Sequence, residues 1–344
     1  MRVLVVGSFQ YSIYAPALEY GFKKLGHDVE KVDLCLYKYK GGFAGQILNK
    51  IQGKYNLSPQ VAVFNRDIIK KVKVFQPDFV FLYTCYNVWP STIKAIKKNG
   101  SFVFNYNNDD PFSRKLNNWG HRYFHRIIPL VDYNFVYRKK NIPDFENAGA
   151  KHVEVLLPYY REQANFYDES VEKSKPIAFL GHFENDGRDA CIKALIDAGL
   201  PITVYGGDLW VNAPSYNDIK QVITAKKGEA EYNRKLNECQ IALVFLSKLN
   251  HDTYTRRCFE IPAAKTLMLC EYTEDMDRMF PEDECAVYFR SKEELVEKCK
   301  ALLANPEKIA EIAENGFNRL KEIGGSEVDR CRQIIEVYSK YKNK

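Results

Sequence analysis

The chain has 344 residues, of which 46% are hydrophobic and 27% are charged, and its formal net charge at pH 7 is +6. That length is too great for one average domain and suits two, and the composition is typical of a globular protein. The charge is too small to predict a nucleic-acid partner, and no apolar run approaches the roughly 18 residues that a membrane-spanning helix requires. Neither a nucleic-acid-binding protein nor a transmembrane protein is expected, and peripheral contact with a membrane stays open.

Nine cysteines are spread singly along the chain, without a CxxC pair. Their spacing indicates buried free thiols in a reducing compartment and argues against a disulfide framework or a structural zinc site. The apolar run at 3–6 is too short for the core of a signal peptide. These features predict a cytoplasmic protein.

The N-terminal part predicts a Rossmann-like domain over residues 1–157. It opens with a βαβ pattern, in which a buried strand at 2–7 is followed by a helix at 15–25 and a strand at 28–34. The turn after the first strand lacks the GxGxxG spacing that holds a pyrophosphate, which disfavours a dinucleotide. The remaining predicted elements are helices at 42–54 and 59–74 and strands at 77–85, 101–106, 131–137 and 152–157.

A dense set of short polar side chains follows the predicted strand at 101–106. The sequence there is Asn107-Asn108-Asp109-Asp110-Pro111. One interpretation is a turn held by local side-chain hydrogen bonds. The other is that an aspartate, Asp110 in particular, orients an acceptor hydroxyl or acts as a base, because ligands of open α/β sheets bind at the carboxyl ends of the strands.

His121 and His125 lie four residues apart in a helix-like stretch. That spacing suits a metal, but the neighbouring sequence offers no third ligand. We therefore predict ordinary surface or core histidines.

Residues 158–175 are predicted to be an exposed linker, because they carry many charges with little apolar periodicity. The βαβ pattern then restarts with a strand at 176–181, a helix at 188–198 and a strand at 202–206, and helices are predicted at 291–303, 306–322 and 326–341. The repetition predicts a second Rossmann-like domain over 176–325, and therefore an α/β fold of two doubly wound domains. Trp210 is interpreted either as a wall beside a nucleotide base or as a packing residue.

The turn from Gly181 to Arg188 places a basic residue at the start of a predicted helix. The positive end of a helix dipole with an arginine beside it favours an anion. A phosphate contact from Arg188 and a solvated arginine are both open.

The stretch 250–271 reads as a polar loop, a helix and a buried strand. Asp252, Thr253 and Thr255 each offer an oxygen that would cap the helix. Arg256 and Arg257 then occupy its first turn, where a positive charge opposes the helix dipole. A phosphate or diphosphate at this point would resolve the conflict.

Glu260 lies one helical turn beyond Arg256. An ordinary ion pair between the two would stabilise the helix by roughly 0.2–0.5 kcal/mol and leave Arg257 in solvent. However, Glu260 is surrounded by apolar neighbours in the sequence, and a carboxylate near a core requires a partner. A ribose diol would be such a partner.

The sequence DTYTRRCFEIPAAKTLMLCEYTED, followed by Phe280-Pro281 and Val287-Tyr288-Phe289, resembles the C-terminal half of GT-B glycosyltransferases, in particular the branch similar to the spore maturation protein CgeB. The resemblance covers residues 176–335 well. It implies that Glu260 binds the ribose hydroxyls of a nucleotide sugar and that Asp252 faces the sugar. Such proteins usually have glycine near the end of this helix, where this chain has Lys265.

The resemblance implies two domains facing a cleft, with the donor bound by the second and the acceptor by the first. The expected activity is that of a hexosyltransferase in polysaccharide biosynthesis, which moves a sugar from a nucleotide-diphosphate donor such as a UDP-sugar to a glycan or another hydroxyl acceptor. The C-terminal helix, 326–344, is expected to cross back to the first domain. Retention of the anomeric configuration is favoured by resemblance alone, and the oligomeric state is not predicted.

The expected site combines cationic and polar side chains. Arg256 and Arg257, with Arg188 or Lys248, would stabilise the charge on the departing diphosphate. The other expected donor contacts are Asn250, Asp252 and Thr253 with the sugar hydroxyls, and Gly181 and His182 in the glycine turn. We expect no cofactor and no essential metal, because no Asp-x-Asp motif stands out.

Two other functions stay open at this point. A nucleotide-sugar 2-epimerase has the same architecture and needs no acceptor. A non-catalytic carbohydrate-binding protein would retain the fold without turnover.

Overall fold

A computed structural model describes residues 1–113, 119–225 and 228–342. The chain forms two compact units, one of Met1–Leu157 with the segment from Glu327 onward, and one of Pro158–Ser326. Each unit contains a six-stranded sheet in which all paired strands are parallel. The predicted fold class, α/β with two doubly wound Rossmann-like domains, is confirmed.

The first unit is built on a sheet of strand order β2-β1-β3-β4-β5-β6. Its inner strands are continuously apolar, as in β3 with the sequence FVFLY, because helices cover both faces of a parallel sheet. The elements are β1 (Arg2–Gly7), α1 (Ala15–Lys24), β2 (Asp28–Asp33), α2 (Gly42–Tyr55), α3 (Pro59–Phe75), β3 (Phe79–Tyr83), α4 (Pro90–Lys98), β4 (Phe102–Asn107), α5 (Arg122–Ile127), β5 (Tyr133–Val136), α6 (Ile142–Asn147) and β6 (Val153–Val155).

The second unit is built on a sheet of strand order β12-β11-β10-β7-β8-β9. The order changes direction between β7 and β10, and such a switch point is where ligands of open α/β sheets bind. The elements are β7 (Lys175–Leu180), α7 (Arg188–Asp197), β8 (Ile202–Tyr205), α8 (Tyr216–Ile219), β9 (Ile223–Thr224), α9 (Glu229–Asn237), β10 (Cys239–Val244), α10 (Arg257–Ala263), β11 (Leu267–Glu271), α11 (Glu274–Met279), β12 (Val287–Phe289), α12 (Lys292–Leu303) and α13 (Pro306–Glu322).

The last helix, α14 (Glu327–Lys342), belongs to the first unit and packs against α1. The contact is close at Gly21, where an added Cβ would lie 2.6 Å from Cys331 Sγ and 3.0 Å from the Glu327 carbonyl oxygen. The Cys331 thiol donates to the Leu18 carbonyl at 3.5 Å. A glycine in α1 therefore lets the two helices approach each other.

The segment before β7 is only partly the exposed linker that its charges suggest, because Phe166 and Tyr167 are exposed but other residues are buried. Tyr159 and Asn165 are buried, and the segment belongs to the second unit. The backbone N–H groups of Phe166 and Asp168 donate to the side chains of Asn233 and Asn237, respectively. The segment is thus attached to the second unit by hydrogen bonds to two amide side chains that are distant in sequence. Such contacts leave no apolar periodicity that would predict them.

All nine cysteines are free thiols. In the part of the chain that the structure describes, no helix is both long and apolar enough to span a membrane.

Candidate functional site

The switch point of the second unit brings the loops after β7 and β10 to the same edge of the sheet, because the two strands are neighbours and parallel. The loop after β7 contains Gly181 and His182, and the loop after β10 leads into α10. Both loops were expected to contact a donor. Their parallel strands explain why they lie together.

Arg257 joins these two loops. Its Nε donates to the Leu180 carbonyl at 2.7 Å, and its guanidinium carbon lies 5.5 Å from the centre of the Phe179 ring. A Cβ added at Gly181 would lie 2.7 Å from Arg257 Nη2 and 2.6 Å from Phe179 Cζ. Residue 181 is therefore a glycine because the arginine lies directly against its backbone.

The start of α10 is only partly as predicted. The helix begins at Arg257 with Arg256 as its N-cap residue, so the two arginines do occupy its first turn. The N-cap residue is therefore Arg256, whose side chain makes no capping hydrogen bond, and not Asp252, Thr253 or Thr255 as expected. The Thr253 hydroxyl donates instead to Asp275 Oδ2 at 2.9 Å, which attaches the loop to α11.

Glu260 is buried and has a partner that the sequence did not reveal. The hydroxyl of Tyr232, on α9, donates to Glu260 Oε2 at 2.9 Å. Part of the tyrosine side chain is exposed, but protein atoms enclose its hydroxyl, and this burial together with the Glu260 charge raises the pKa of Tyr232 well above its ordinary value. The hydroxyl therefore stays protonated and donates at any physiological pH.

Arg256 and Arg257 lie close enough to the Tyr232 hydroxyl to oppose that shift of its pKa. The Arg256 guanidinium carbon is also 5.1 Å from the ring centre of Tyr159, which is buried. The carboxylate, the phenol and two guanidinium groups thus form one cluster at the start of α10. We call it the α10 cluster.

Arg188 is buried and is engaged within its own loop. Its Nε and Nη2 donate to the two carboxylate oxygens of Asp186 at 2.8 and 2.5 Å, and its Nη1 donates to the His182 carbonyl at 2.7 Å. Only 2% of the Arg188 side chain is exposed. The expected phosphate contact gives way to a structural role, because a nearby carboxylate already satisfies the buried cation.

His182 lies half-exposed on the same loop. Its Nε2 is 3.1 Å from Glu184 Oε1. The hydrogen bond with His182 and the charge of Arg188 lower the pKa of Glu184 to about 2, so this carboxylate is ionised throughout the physiological range. In the turn after β7, the side chains of His182, Glu184, Asp186 and Arg188 therefore interact with one another.

The loop from Ser247 to Thr253 contains the residues expected to meet the sugar. The Asp252 N–H donates to the Ser247 carbonyl at 3.0 Å, and the Asn250 N–H lies 3.4 Å from Ser247 Oγ. Lys248 is exposed and donates to the Asp186 carbonyl at 2.5 Å. The loop is thereby tied to the turn after β7.

A cavity of about 770 Å³ opens beside this loop, at the carboxyl ends of β10, β11 and β12. Lys248 and Asp252 line it, together with Glu271 and Arg290, which the sequence did not single out. Glu271 Oε2 accepts from the Leu246 N–H at 2.6 Å, and burial raises the pKa of this carboxyl. A carboxylate at the end of an apolar strand was the signal that could have identified it.

Trp210 is a packing residue. Its ring is fully buried, and its Nε1 donates to the Gly181 carbonyl at 3.0 Å. A Cβ added at Gly206 would lie 1.8 Å from that nitrogen, so Gly206 gives the ring its place. Trp210 therefore packs against the glycine turn and binds its backbone. The interpretation of Trp210 as a wall beside a nucleotide base is wrong, because its ring is buried.

Asp110, in the first unit, is also held by structural contacts. Burial by itself raises its pKa, but hydrogen bonds from Lys140, the Phe112 N–H and Asn141 lower the pKa below its ordinary value overall. The ion pair with Lys140 is 2.6 Å long. The Asp109 N–H donates to Asn107 Oδ1 at 2.9 Å, so the interpretation as a locally hydrogen-bonded turn fits, and the role of Asp110 in substrate binding stays a prediction.

His121 and His125 both direct a ring nitrogen at the Pro111 carbonyl, at 3.1 and 3.0 Å. Because a carbonyl only accepts, both nitrogens carry a proton. In the described ranges, no group of three metal-ligating side chains occurs.

Lys265 has a φ of 46°, a left-handed conformation in which glycine is usual. Its Nζ forms an ion pair with Glu314 at 2.6 Å and lies 4.9 Å from the centre of the Tyr167 ring. The turn after α10 therefore keeps the geometry of a glycine turn although the residue is lysine.

Residues 188–326 match the model of a family described as glycosyl transferase-like. The matched range contains the loop after β10 and all of α10. Among curated proteins, none matches this sequence.

Several solved structures have the same fold. Sucrose-phosphate synthase from Thermosynechococcus elongatus has a TM-score of 0.71 at 10% identity, covering 100% of this chain and 99% of that chain. HepE from Anabaena in complex with UDP-glucose has a TM-score of 0.69 at 11% identity, covering 99% and 100%. A glycosyltransferase from Rickettsia africae has a TM-score of 0.66 at 15% identity, covering 98% of each chain. The chain thus has the two-domain α/β fold of GT-B glycosyltransferases.

Proposed function

We propose that the second unit binds a nucleoside diphosphate sugar and that the protein transfers its sugar to a hydroxyl acceptor. The α10 cluster is the observation that supports this most directly. It places two guanidinium groups and a buried carboxylate at the switch point of a doubly wound sheet, where ligands of such folds bind.

Arg257 suits a diphosphate because it is held in place before any ligand arrives. One N–H is used on the Leu180 carbonyl, and a guanidinium has five N–H donors, so further donors remain for phosphate oxygens. With Arg256 beside it, the site would stabilise the negative charge that grows on the diphosphate as the glycosidic bond breaks. No reorganisation of the arginine is required during that step.

Glu260 suits the ribose. Tyr232 occupies Oε2, which leaves the lone pairs of Oε1 for a vicinal diol. Asn250, Asp252 and Thr253 are the residues we assign to the sugar, and Lys248, Gly181 and His182 to the surrounding loops. Arg188 acts on the donor only indirectly, by holding the turn after β7.

The finer points of the proposal come from the sequence resemblance to the CgeB-like branch. They are a glycan or another hydroxyl acceptor, hexosyl transfer that is independent of metal, and retention of the anomeric configuration. The fold is compatible with each.

Titration calorimetry with uridine, guanosine and adenosine diphosphates tests the donor site first. Arg257→Gln should weaken binding of the preferred diphosphate by roughly 10- to 150-fold, because a hydrogen bond to a charged group is worth about 1.5–3 kcal/mol. Arg278→Gln is the matched control, since Arg278 is an exposed arginine of the same unit that forms an ion pair with Glu274, away from the α10 cluster in the sequence. Equal affinities of both variants and the wild type would exclude Arg257 from the site.

A panel of nucleotide sugars, each with and without glycan acceptors, then tests the reaction. Transfer that depends on an acceptor supports the proposal. Release of an epimer without acceptor would indicate a 2-epimerase, and tight binding without turnover would indicate a carbohydrate-binding protein.

A further inference from the structure

Helix α2 in the first unit presents its polar side to the protein. Within this helix, all of which is described, the buried residue is Gly45. Asn49 exchanges two hydrogen bonds with the Tyr39 backbone, at 2.8 and 2.9 Å, and Gln52 donates to the Tyr37 carbonyl at 2.9 Å. The helix is therefore attached by a glycine and two amides.

The opposite side of α2 is apolar and faces solvent. Its large side chains are between 39% and 79% exposed, and most recur at every fourth position. At 3.6 residues per turn they cover an arc of about 140°. We call this surface the α2 patch; it consists of Phe43, Ile47, Leu48, Ile51 and Tyr55.

This orientation is the reverse of that of an ordinary surface helix, whose apolar stripe faces the core. Scattered exposed apolar residues are normal, but a contiguous stripe on one helix marks a binding surface. Because the inward face is already satisfied by hydrogen bonds, rotation of α2 would bury the patch only by exposing those amides. Among the described residues nothing buries the patch, which makes it suited to an external partner.

The apolar surface continues beyond the end of the helix. Leu57 is exposed, and the Asn56 side chain donates to the Gly120 carbonyl at 2.5 Å, next to Trp119. Trp119 is 68% exposed, and Arg122 lies 5.9 Å from the centre of its ring. Tryptophan and tyrosine at the border of an apolar surface are typical of the interface between lipid and water.

The charges in the sequence that contains the patch have one sign. Between Asp33 and Asp67 the sequence contains four lysines and no acidic residue. At 3.6 residues per turn, Lys50 lies at the edge of the apolar arc and Lys54 lies just inside it, between Phe43 and Ile47. Lys38 and Lys40 immediately precede the helix. Such a cationic, amphipathic helix suits an anionic surface.

We propose that the α2 patch binds the surface of an anionic membrane. The helix lies in the interface, with the apolar side chains inserted below the headgroups and the lysines at headgroup level. A second copy of this chain fits less well, because pairing two patches would bring lysines of both copies together. The proposal is independent of the donor site, since it concerns the first unit alone.

Vesicle co-sedimentation tests it on the full-length protein. Vesicles of phosphatidylcholine with 30 mol% phosphatidylglycerol are compared with vesicles of phosphatidylcholine alone. The wild-type protein should bind the anionic vesicles and bind the neutral ones far more weakly. The emission of Trp119 should shift to the blue on binding, and Trp119→Phe should lose that change.

Two variants separate the apolar contribution from the electrostatic one. Ile51→Asp should lower the partition coefficient at least about tenfold, because an inserted side chain becomes charged. The double variant Lys50→Gln, Lys54→Gln should lower binding to anionic vesicles by roughly 25-fold, about fivefold for each lysine, and leave the neutral vesicles unchanged. Val74→Asp is the control: Val74 is 77% exposed on α3 of the same unit and lies outside the patch.

Thermal melting of each variant confirms that it is folded before the comparison. Absence of wild-type binding at low salt, or equal binding by Ile51→Asp and Val74→Asp, would overturn the proposal. So would a dimer in sedimentation velocity that Ile51→Asp abolishes, because a second copy would then occupy the patch.

Discussion

Tyr232→Phe is the substitution that most directly examines the α10 cluster. It removes the hydroxyl that donates to Glu260 Oε2 at 2.9 Å and leaves the ring in place. A buried carboxylate then loses a donor that water replaces poorly. Because a hydrogen bond to a charged group contributes about 1.5–3 kcal/mol, the free energy of unfolding should fall by that amount.

Urea denaturation at pH 8 measures the loss, and Tyr288→Phe is the matched control. The Tyr288 hydroxyl is also buried, but it donates to a neutral acceptor, the Phe280 carbonyl, at 2.6 Å. Its removal should cost about 0.5–1.5 kcal/mol. The difference between the two variants isolates the contribution of the carboxylate charge.

The difference between the wild type and Tyr232→Phe should shrink at alkaline pH. Burial and the Glu260 charge raise the pKa of the folded Tyr232, whereas in the unfolded chain the phenol ionises near pH 10. From about pH 10 up to the folded pKa, the unfolded wild type releases a proton that the folded protein keeps. This group then costs the wild type about 1.4 kcal/mol of stability per pH unit, a cost absent from the variant.

Nucleotide binding distinguishes a positioning residue from a merely structural one. If Tyr232 orients Glu260 toward a ribose, Tyr232→Phe should reduce the preference for a ribonucleotide over its 2′-deoxy analogue. A loss of stability below about 0.5 kcal/mol at pH 8, or a gap to the wild type that does not narrow above pH 10, would refute the reasoning about the buried pair. An unchanged preference for ribose would limit Tyr232 to a role in stability.

Three further changes have defined outcomes. Gly181→Ala should lower the free energy of unfolding by about 1–3 kcal/mol and weaken diphosphate binding, because the new methyl group would lie 2.6 Å from Phe179 Cζ. Wild-type affinity in calorimetry would contradict the assigned contact with Arg257. Arg188→Met should lower the free energy of unfolding in urea by about 3–5 kcal/mol, since it leaves the buried Asp186 carboxylate without its cation. A loss under 1 kcal/mol would mean that water reaches the pair. Sugar transfer should survive EDTA, because arginines and backbone N–H groups would meet the diphosphate charge in the proposed site. Activity lost to EDTA and restored by Mg²⁺ or Mn²⁺ would instead indicate a metal requirement.

The sequence by itself was enough for the architecture and for the position of two arginines at the start of α10. Parallel strands covered on both faces are continuously apolar, so β1, β3, β7 and β10 are visible as short hydrophobic runs between helical patterns. The repetition of the βαβ pattern predicted two doubly wound sheets. The unusual charge of two arginines at the start of α10 is also a local signal, and the anion site that it predicts is the one proposed above.

The tertiary structure decided which charged and polar groups have partners. Tyr232 lies 28 positions before Glu260, and Trp210 lies 29 positions after Gly181, so neither contact leaves a trace in local periodicity. The same holds for the amides of Asn233 and Asn237, which attach the segment before β7 to α9. Contacts of this kind depend on how the elements pack, and packing is set by side chains distant in sequence.

Arg188 and α2 are two further places where the local sequence does not predict the contacts in the folded protein. A basic residue at a helix start looks available for phosphate, but a carboxylate two positions earlier folds back and buries it. The apolar stripe of α2 looks like a face for the core, but Asn49 and Gln52 hold the helix by its polar side. Periodicity shows that a helix has two faces, and only the hydrogen bonds and neighbours of the folded chain determine which face is turned inward.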